Sequence, residues 1–178
     1  MRKTTGILGS ALFFLIAPFT IGFVVPWWIA GWDIGTSTPE GNLFRVAGVV
    51  LVLMGMVPLV ESFGRFALVG LGTPAPVAPP QHLVVTGFYR YVRNPMYLGV
   101  LMIILGNALI LRNWAVGAYG VLVTLGFTAF VIGYEEPTLR RSFGAEYAEY
   151  CRNVPRWRPR LTPWTPSSIL PQRGGDGA

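Results

Sequence analysis

Residues able to bind a charged cofactor are concentrated in two short segments of the chain. The first is Arg90-Tyr91-Val92-Arg93-Asn94-Pro95-Met96-Tyr97, and the second is the pair Glu135-Glu136. Arginine holds a carboxylate through a fork of two hydrogen bonds, and the face of a tyrosine ring attracts a cation. Glutamate accepts hydrogen bonds from an ammonium or a hydroxyl group. The combination predicts a site for a small charged cofactor.

Each of these features also has a simpler explanation when it is taken alone. Glu135 and Glu136 could end a helix in water, and Arg90 and Arg93 could anchor the cytoplasmic side of a membrane segment. The tyrosines could lie at the membrane interface. The two segments predict a site only if the fold brings them together.

A metal or triad site is disfavoured by the scarcity of suitable residues. Cys151 is the only cysteine and His82 the only histidine, so neither a disulfide nor a zinc site of the His/Cys type can form within the chain. His82 closely follows a proline-rich run at residues 73–80, which favours a solvated loop histidine over a catalytic one.

The composition indicates an integral membrane protein. Of the 178 residues, 52% are hydrophobic and 12% are charged, and the mean hydropathy is +0.51. Soluble domains carry about 25% charged residues. The apolar residues form four long blocks, at residues 6–30, 43–60, 96–111 and 114–134. A helix needs about 20 apolar residues to cross a bilayer, so we predict an all-α bundle of about four transmembrane helices.

The arginines predict the orientation of this multi-pass bundle. Arg2 and Lys3 precede the first block, and most of the remaining arginines lie between the second and third blocks or after the fourth. The positive-inside rule therefore places both termini and residues 61–95 in the cytoplasm. The net charge of +6 suits anionic lipid headgroups and gives no special support to nucleic acid binding.

A tight helical hairpin is expected to join the two polar segments. Only Arg112-Asn113 separates the third and fourth blocks, so Glu135-Glu136 should return to the face from which the third block starts. No ionisable residue lies near the middle of a block, which disfavours ion-coupled transport. We therefore predict a reactive site at the boundary between membrane and cytosol.

An amphipathic helix is expected after the fourth block. Pro137 should break or restart the helix. Four apolar or aromatic residues then recur at helical spacing over residues 138–152, and this stripe predicts a helix on the cytoplasmic face: Leu139, Phe143, Tyr147 and Tyr150. Residues 1–163 are predicted to form one domain, and residues 164–178 a disordered tail rich in Pro, Ser and Gly.

Small residues on the fourth block are expected to let helices pack closely, within one chain or between chains. The glycines concerned are Gly117, Gly120, Gly126 and Gly133. The oligomeric state stays open.

The order of motifs over residues 83–161 resembles the isoprenylcysteine carboxyl methyltransferase family and its bacterial relatives. Arg93-Asn94-Pro95-Met96-Tyr97-Leu98-Gly99 is followed by the hairpin, by Glu135-Glu136-Pro137 and by Val154-Pro155. Phospholipid N-methyltransferases are similar in the same region. The resemblance implies methyl transfer from S-adenosylmethionine to a lipid or lipidated acceptor at the cytoplasmic face, here in a bacterial inner membrane.

The resemblance implies roles for individual residues. The family commonly has Arg-His-Pro where this chain has Arg93-Asn94-Pro95, so Asn94 can hydrogen-bond but cannot transfer a proton. The predicted catalytic residues are Arg93, Asn94 and Arg156. The predicted cofactor-binding residues are Tyr91, Arg93, Asn94, Pro95, Met96, Tyr97, Gly99, Glu135, Glu136, Leu139 and Tyr147.

Two other functions remain open at this point. Sterol reductases resemble the family in the same region, so the chain could be a membrane reductase that uses NADPH, with Arg140, Arg141 or Arg158 for the 2′-phosphate. It could also be a non-catalytic membrane scaffold that keeps the fold. The acceptor itself is beyond the sequence: prenylated protein, phospholipid, small thiol and quinone-like lipid all remain open.

Overall fold

The computed structural model describes residues 16–35, 38–68 and 83–165, and within these ranges all regular structure is helical. The α-helices are α1 (Ile16–Ile29), α2 (Pro39–Leu68), α3 (Pro95–Leu111), α4 (Trp114–Phe130) and α5 (Glu136–Asn153). A 3₁₀ turn (Gly87–Arg90) precedes α3, and a π-helical turn (Val131–Glu135) joins α4 to α5.

Helices α1 to α4 correspond to the four predicted apolar blocks, and the all-α class is confirmed. Two stretches are long and apolar enough to cross a membrane, Pro39–Arg65 and the continuous run Trp114–Asn153, while α1 and α3 are shorter apolar helices. The number of four spans stays a prediction. Residues 6–15 of the first block, the proline-rich run and His82 lie outside the described residues.

Helices α2 and α3 pack unusually closely because glycines face each other across the contact. A Cβ atom added to Gly55 would lie 2.6 Å from the carbonyl oxygen of Gly99, and one added to Gly48 would lie 2.5 Å from that of Gly106. The two contacts are seven residues apart on each helix, and the earlier glycine of α2 faces the later glycine of α3. The two helices therefore run antiparallel. Backbones that approach this closely gain van der Waals and Cα–H···O contacts.

The glycines predicted on the fourth block do not all have this role. Among them, Gly120 approaches Ile104 of α3, while Gly117, Gly126 and Gly133 have no described atom within 4 Å of an added Cβ. The close approach is therefore between α2 and α3, through glycines that the sequence analysis did not predict to pack helices, including Gly99, which it assigned to the cofactor.

Helix α1 is joined to the bundle by hydrogen bonds that replace those lost at a proline. Pro26 has no N–H to donate to the preceding turn, which is the π-helical turn Thr20–Val24. The carbonyl oxygen of Gly22 accepts instead from Nδ2 of Asn107 at 2.9 Å, and that of Ile21 accepts from the Tyr119 hydroxyl at 3.1 Å. Neighbouring helices thus satisfy the freed backbone groups.

The hairpin between α3 and α4 has the predicted tight form. Arg112 ends α3 in the left-handed conformation with φ 51°, and the Asn113 side chain caps α4 by accepting from the Ala115 N–H at 2.9 Å. The turn reverses the chain within two residues. Glu135 and Glu136 consequently return to the end of the bundle where α3 begins.

Helix α5 differs from the prediction at its kink. Pro137 lies in the first turn of α5, where its missing N–H is tolerated, and the helix continues through it from the π-helical turn. The break falls instead at Gly144, whose φ of 48° and ψ of −116° are non-helical. The predicted apolar stripe is confirmed, because Tyr147 and Tyr150 are buried with Val85 and Val154, and Leu139 and Phe143 pack against them.

The chain beyond α5 folds back over the bundle. We call residues 154–165 the C-terminal segment. Trp164 donates from its backbone N–H to the Arg90 carbonyl at 3.0 Å, and its ring lies 5.9 Å from that of Tyr150. The predicted disordered tail began at residue 164, but Trp164 and Thr165 are held in place by these contacts and by Arg90. Residues 166–178 lie outside the described residues.

Candidate active site

The candidate site lies where the start of α3, the α4–α5 junction and the C-terminal segment meet. The hairpin brings Glu135 and Glu136 to Tyr97 and Arg93 of the first polar segment. The convergence expected of the two segments is therefore confirmed.

Glu136 is a buried carboxylate bound by two arginines. Arg156 donates from Nε to Oε1 at 2.6 Å and from Nη2 to Oε2 at 3.0 Å, and Arg93 donates from Nη1 to Oε1 at 2.9 Å. A forked pair of this kind fixes both partners. Glu136 therefore ties the C-terminal segment and the start of α3 to α5.

The charge of Glu136 is maintained by these partners. Burial raises the pKa of Glu136. The hydrogen bond from Arg156 and the charges of Arg93, Arg156 and Arg140 lower it by more, so that the pKa lies below its ordinary value of 4.5. Arg140 is the most distant of these groups, at 4.0 Å from Oε2. Glu136 is thus ionised at neutral pH and already has its counter-ions.

Glu135 has a different environment, although it is the next residue. The Tyr97 hydroxyl donates to its Oε2 at 3.0 Å, and no arginine among the described residues pairs with it. Burial raises the pKa of Glu135, the hydrogen bond from Tyr97 lowers it, and the charge of Glu136 raises it, with a net shift upward. A carboxylate that is partly desolvated and lacks a counter-ion is suited to bind a cation.

Aromatic rings adjoin this carboxylate. The Tyr97 ring centroid lies 4.7 Å from that of Phe127 on α4 and 6.5 Å from that of Trp157 in the C-terminal segment. Such faces can hold a planar base or a cation. Trp157 was not among the predicted site residues, and its position between Arg156 and Arg158 was the available signal.

Arg93 and Asn94 hold the C-terminal segment against α3. The Arg93 N–H donates to the Pro155 carbonyl at 3.0 Å, and Nδ2 of the buried Asn94 donates to the Arg156 carbonyl at 3.1 Å. Asn94 therefore sets the position of Arg156. An asparagine can do this as well as a neutral histidine, since either side chain can supply one N–H.

One polar atom of Arg93 has no hydrogen-bond partner in the described part of the chain. Its Nη1 also donates to Sγ of Cys151 at 3.0 Å, but its Nε is buried and makes no hydrogen bond to any residue that the structure describes. A buried N–H of a cation that lacks a partner is costly. This N–H is the donor of Arg93 left over for an additional anionic group, and binding there would require the side chains that cover it to move.

Most of the other predicted site residues lie outside this cluster. Tyr91 and Pro95 line a separate cleft, and Gly99 faces α2 in the close helix contact. Met96 packs against the main core, and Leu139 packs against the α5 cluster. Tyr147 is buried in the latter cluster, next to Arg93 and Cys151.

The described residues fit S-adenosylmethionine as a ligand. Its amino acid part carries a carboxylate and an ammonium, and its sulfur is a sulfonium. The unpartnered Nε of Arg93 matches the carboxylate, and Glu135 matches a cation. Because Arg93 binds Glu136 and Glu135 precedes Glu136 in the chain, the two complementary groups belong to the same end of the bundle.

These features define an apolar helical bundle with a charged site at one end. A family model for phospholipid methyltransferases matches residues 43–146, which is more than half of the chain. The chain belongs to the phospholipid methyltransferase family. The resemblance seen in the motifs is therefore confirmed.

Curated relatives are protein-S-isoprenylcysteine O-methyltransferases. The chain is 27% identical over 139 residues to protein-S-isoprenylcysteine O-methyltransferase B of Arabidopsis thaliana. This alignment covers 77% of this chain and 62% of the relative. It is 38% identical over 81 residues to the protein of Schizosaccharomyces pombe, which covers 45% of this chain and 34% of the relative. The chain thus spans less than two thirds of these relatives, and no solved structure matches it significantly.

Proposed function

We propose that this chain transfers a methyl group from S-adenosylmethionine to a lipid-like acceptor at the cytoplasmic face of a membrane. The observation that carries the proposal is the presence of two unlike groups at one end of the bundle: among the described residues, Glu135 has no arginine partner and the buried Nε of Arg93 has no hydrogen-bond acceptor. The names of the relatives support methyl transfer over the reductase and scaffold alternatives.

The ligand is held by charge and by aromatic faces. Glu135 accepts from the ammonium or the ribose hydroxyls, and Arg93 donates from Nε to the carboxylate. Tyr97 and Trp157 offer rings to the adenine or the sulfonium. When bound, S-adenosylmethionine supplies an electrophilic methyl group, so the protein has little chemistry of its own to perform.

The chain's contribution is alignment. The Glu136–Arg156 fork and the Asn94 hydrogen bond fix the C-terminal segment over the site, and a ligand held there is shielded from water. Asn94 and Arg156 are positioning residues in this account, since their polar groups bind other parts of the protein. A donor and an acceptor held within reaction distance gain most of the available rate acceleration.

The test is calorimetric binding of S-adenosylmethionine to the detergent-purified chain, with NADPH titrated in parallel. We expect saturable binding of the first and none of the second. Glu135→Gln should weaken binding at least about tenfold, because it removes a charge that pairs with a cation. Glu146→Gln, an exposed change of the same kind on α5, is the matched control.

The outcomes separate the alternatives. Binding of NADPH alone by a folded sample would favour a reductase, and binding of neither would favour a scaffold. Unchanged affinity in Glu135→Gln, with binding otherwise intact, would refute the assignment of Glu135 to the cofactor.

A further inference from the structure

The outer part of the C-terminal segment combines two arginines with an unusually exposed leucine. We call residues 158–163 the outer loop; its sequence is Arg-Pro-Arg-Leu-Thr-Pro. Leu161 is 99% exposed, and no other large apolar residue in the described ranges is as exposed. Cationic and apolar side chains placed together suit a membrane surface, where phosphates and acyl chains are close to each other.

The outer loop is fixed to the bundle at two points. The Arg160 N–H donates to the Tyr91 carbonyl at 2.9 Å, and the Trp164 N–H donates to the Arg90 carbonyl at 3.0 Å. Residues 161–163 lie between these bonds and are all exposed. The loop therefore has a defined position, while its middle is available to a partner.

The two arginines of the loop have different environments. Nη1 of Arg160 donates to the Asn153 carbonyl at 2.6 Å, so this side chain holds the loop to the end of α5. Arg158 is exposed and forms no ion pair with any residue that the structure describes. A guanidinium binds a phosphate through a fork of two hydrogen bonds. Arg158 is therefore the anion-binding group that the loop presents to its surroundings.

The outer loop lies beside the lipid-facing surface of α2. Pro159 shares a cleft with Met54 and Val57, which are 56% and 57% exposed on a helix long and apolar enough to cross a membrane. Exposed apolar side chains of such a helix contact lipid tails. Leu161 follows Pro159 by two residues, which span at most about 7 Å. It therefore belongs to the membrane side of this end of the bundle.

A lipid fits the loop better than a protein partner does. A single exposed leucine on a soluble surface is ordinary, but this one adjoins a helix surface that a bilayer covers. A stable protein interface takes about 800 Å² from each partner, which is more than six residues offer. A phospholipid needs one group for its phosphate and one apolar anchor among its chains, and Arg158 and Leu161 supply these.

We propose that the outer loop binds anionic phospholipids of the surrounding membrane, with Arg158 paired to a lipid phosphate and Leu161 inserted among the acyl chains. An anionic headgroup attracts the arginine more strongly than a zwitterionic one, because it carries net negative charge. Arg156 and Trp157, which contact Glu136 and Tyr97, belong to the same segment. The charge of the membrane then regulates how often this wall of the candidate site opens.

The test is amide hydrogen exchange of the full chain in lipid nanodiscs that hold one chain each. One kind of disc contains phosphatidylcholine alone, and the other contains an equal mixture with phosphatidylglycerol. The Arg160 and Trp164 amides are hydrogen-bonded in the closed loop, so exchange in residues 157–165 reports its opening. We expect exchange about fivefold slower in the anionic discs, the effect of one arginine near such a surface. The difference should vanish at about 1 M salt, where the Debye length is about 3 Å.

Two pairs of variants assign the effect to the loop. Arg158→Gln should remove the difference between the discs, whereas Arg112→Gln, the same change at an exposed arginine at the other end of the bundle, should keep it. Leu161→Ser should speed exchange in both discs by at least about fivefold, because the apolar anchor is lost, and Leu161→Met should not. Equal thermal midpoints show that each variant is folded.

Several outcomes would overturn the inference. Equal exchange in the two kinds of disc, or a difference that persists in Arg158→Gln, would show that the loop does not sense lipid charge. Equal protection by glycerol 3-phosphate in phosphatidylcholine discs would make the loop a site for soluble phosphates. Protection that needs two chains in a disc would make a second copy the occupant. S-adenosylmethionine is absent from these samples, so a failure of the proposed function leaves every one of these results unchanged.

Discussion

Replacing Glu136 with glutamine should destabilise the protein much more than the same change at Glu135. Glu136→Gln leaves Arg93 and Arg156 without a counter-ion, and their side chains are only 12% and 32% exposed. Breaking a buried ion pair from one side costs about 3–5 kcal/mol. Since Arg156 can regain some water and the glutamine oxygen still accepts one hydrogen bond, we expect the lower end, about 3 kcal/mol.

This loss corresponds to a measurable thermal shift. A domain of this size loses about 2–4 °C per kcal/mol, so the midpoint of unfolding should fall by roughly 6–12 °C in Glu136→Gln. In Glu135→Gln the Tyr97 hydroxyl can still donate to the amide oxygen, and the cost should stay within about 1 kcal/mol. Both variants and the wild type are compared by thermal unfolding of the detergent-purified protein.

The pair of variants separates structure from ligand binding. Glu135→Gln should keep the midpoint and lose S-adenosylmethionine affinity. If Glu136→Gln unfolds no more easily than Glu135→Gln, then the two-arginine junction does not stabilise the fold and the reasoning from its buried contacts is wrong.

Three further predictions concern pH, helix packing and the C-terminal segment. Because the pKa of Glu136 is lowered in the folded state, ionised Glu136 stabilises the fold above pH 4.5, and this stabilisation is lost as the pH falls through the folded pKa. The thermal midpoint of the wild type should therefore fall on acidification, and that of Glu136→Gln should fall less. Gly99→Val places a Cβ 2.6 Å from the Gly55 carbonyl and should cost at least about 1–3 kcal/mol in thermal unfolding, whereas Gly126→Val, with no described atom within 4 Å, should not. Arg90→Ala removes the 2.7 Å bond to the Trp164 carbonyl and should increase amide hydrogen exchange in residues 154–165; unchanged exchange would show that the segment is held by other contacts.

The fold could be predicted largely from apolar block length. The hairpin followed from the two-residue break at Arg112-Asn113, and the stripe of α5 followed from helical spacing. Contacts between helices were harder to predict. Gly48 and Gly55 match Gly99 and Gly106 in their spacing of seven, but only the packing shows that these pairs face each other.

The site was predicted as a set of residue types rather than as an arrangement. The two polar segments do meet, yet the sequence analysis assigned the same role to Glu135 and Glu136. The structure separates them, because two arginines bind Glu136 and a tyrosine binds Glu135. Which of two adjacent carboxylates is neutralised depends on distant residues such as Arg156, and no local pattern contains that information. The kink at Gly144 was missed for a related reason, since proline was the more obvious helix breaker.

The position of the C-terminal segment bears on how the protein is made. Helices α1 to α4, the predicted membrane spans, precede it in the chain and are synthesised before it. Arg156 and Trp157 reach Glu136 and Tyr97 only after residues 154–165 have emerged from the ribosome. A nascent chain that stalls at residue 153 would contain the apolar helices but would lack the Arg156 fork, so Glu136 would keep Arg93 and Arg140 alone as counter-ions. The candidate site is therefore complete only after these last described residues have been synthesised. A chain that ends before them should bind the ligand less well than the full chain.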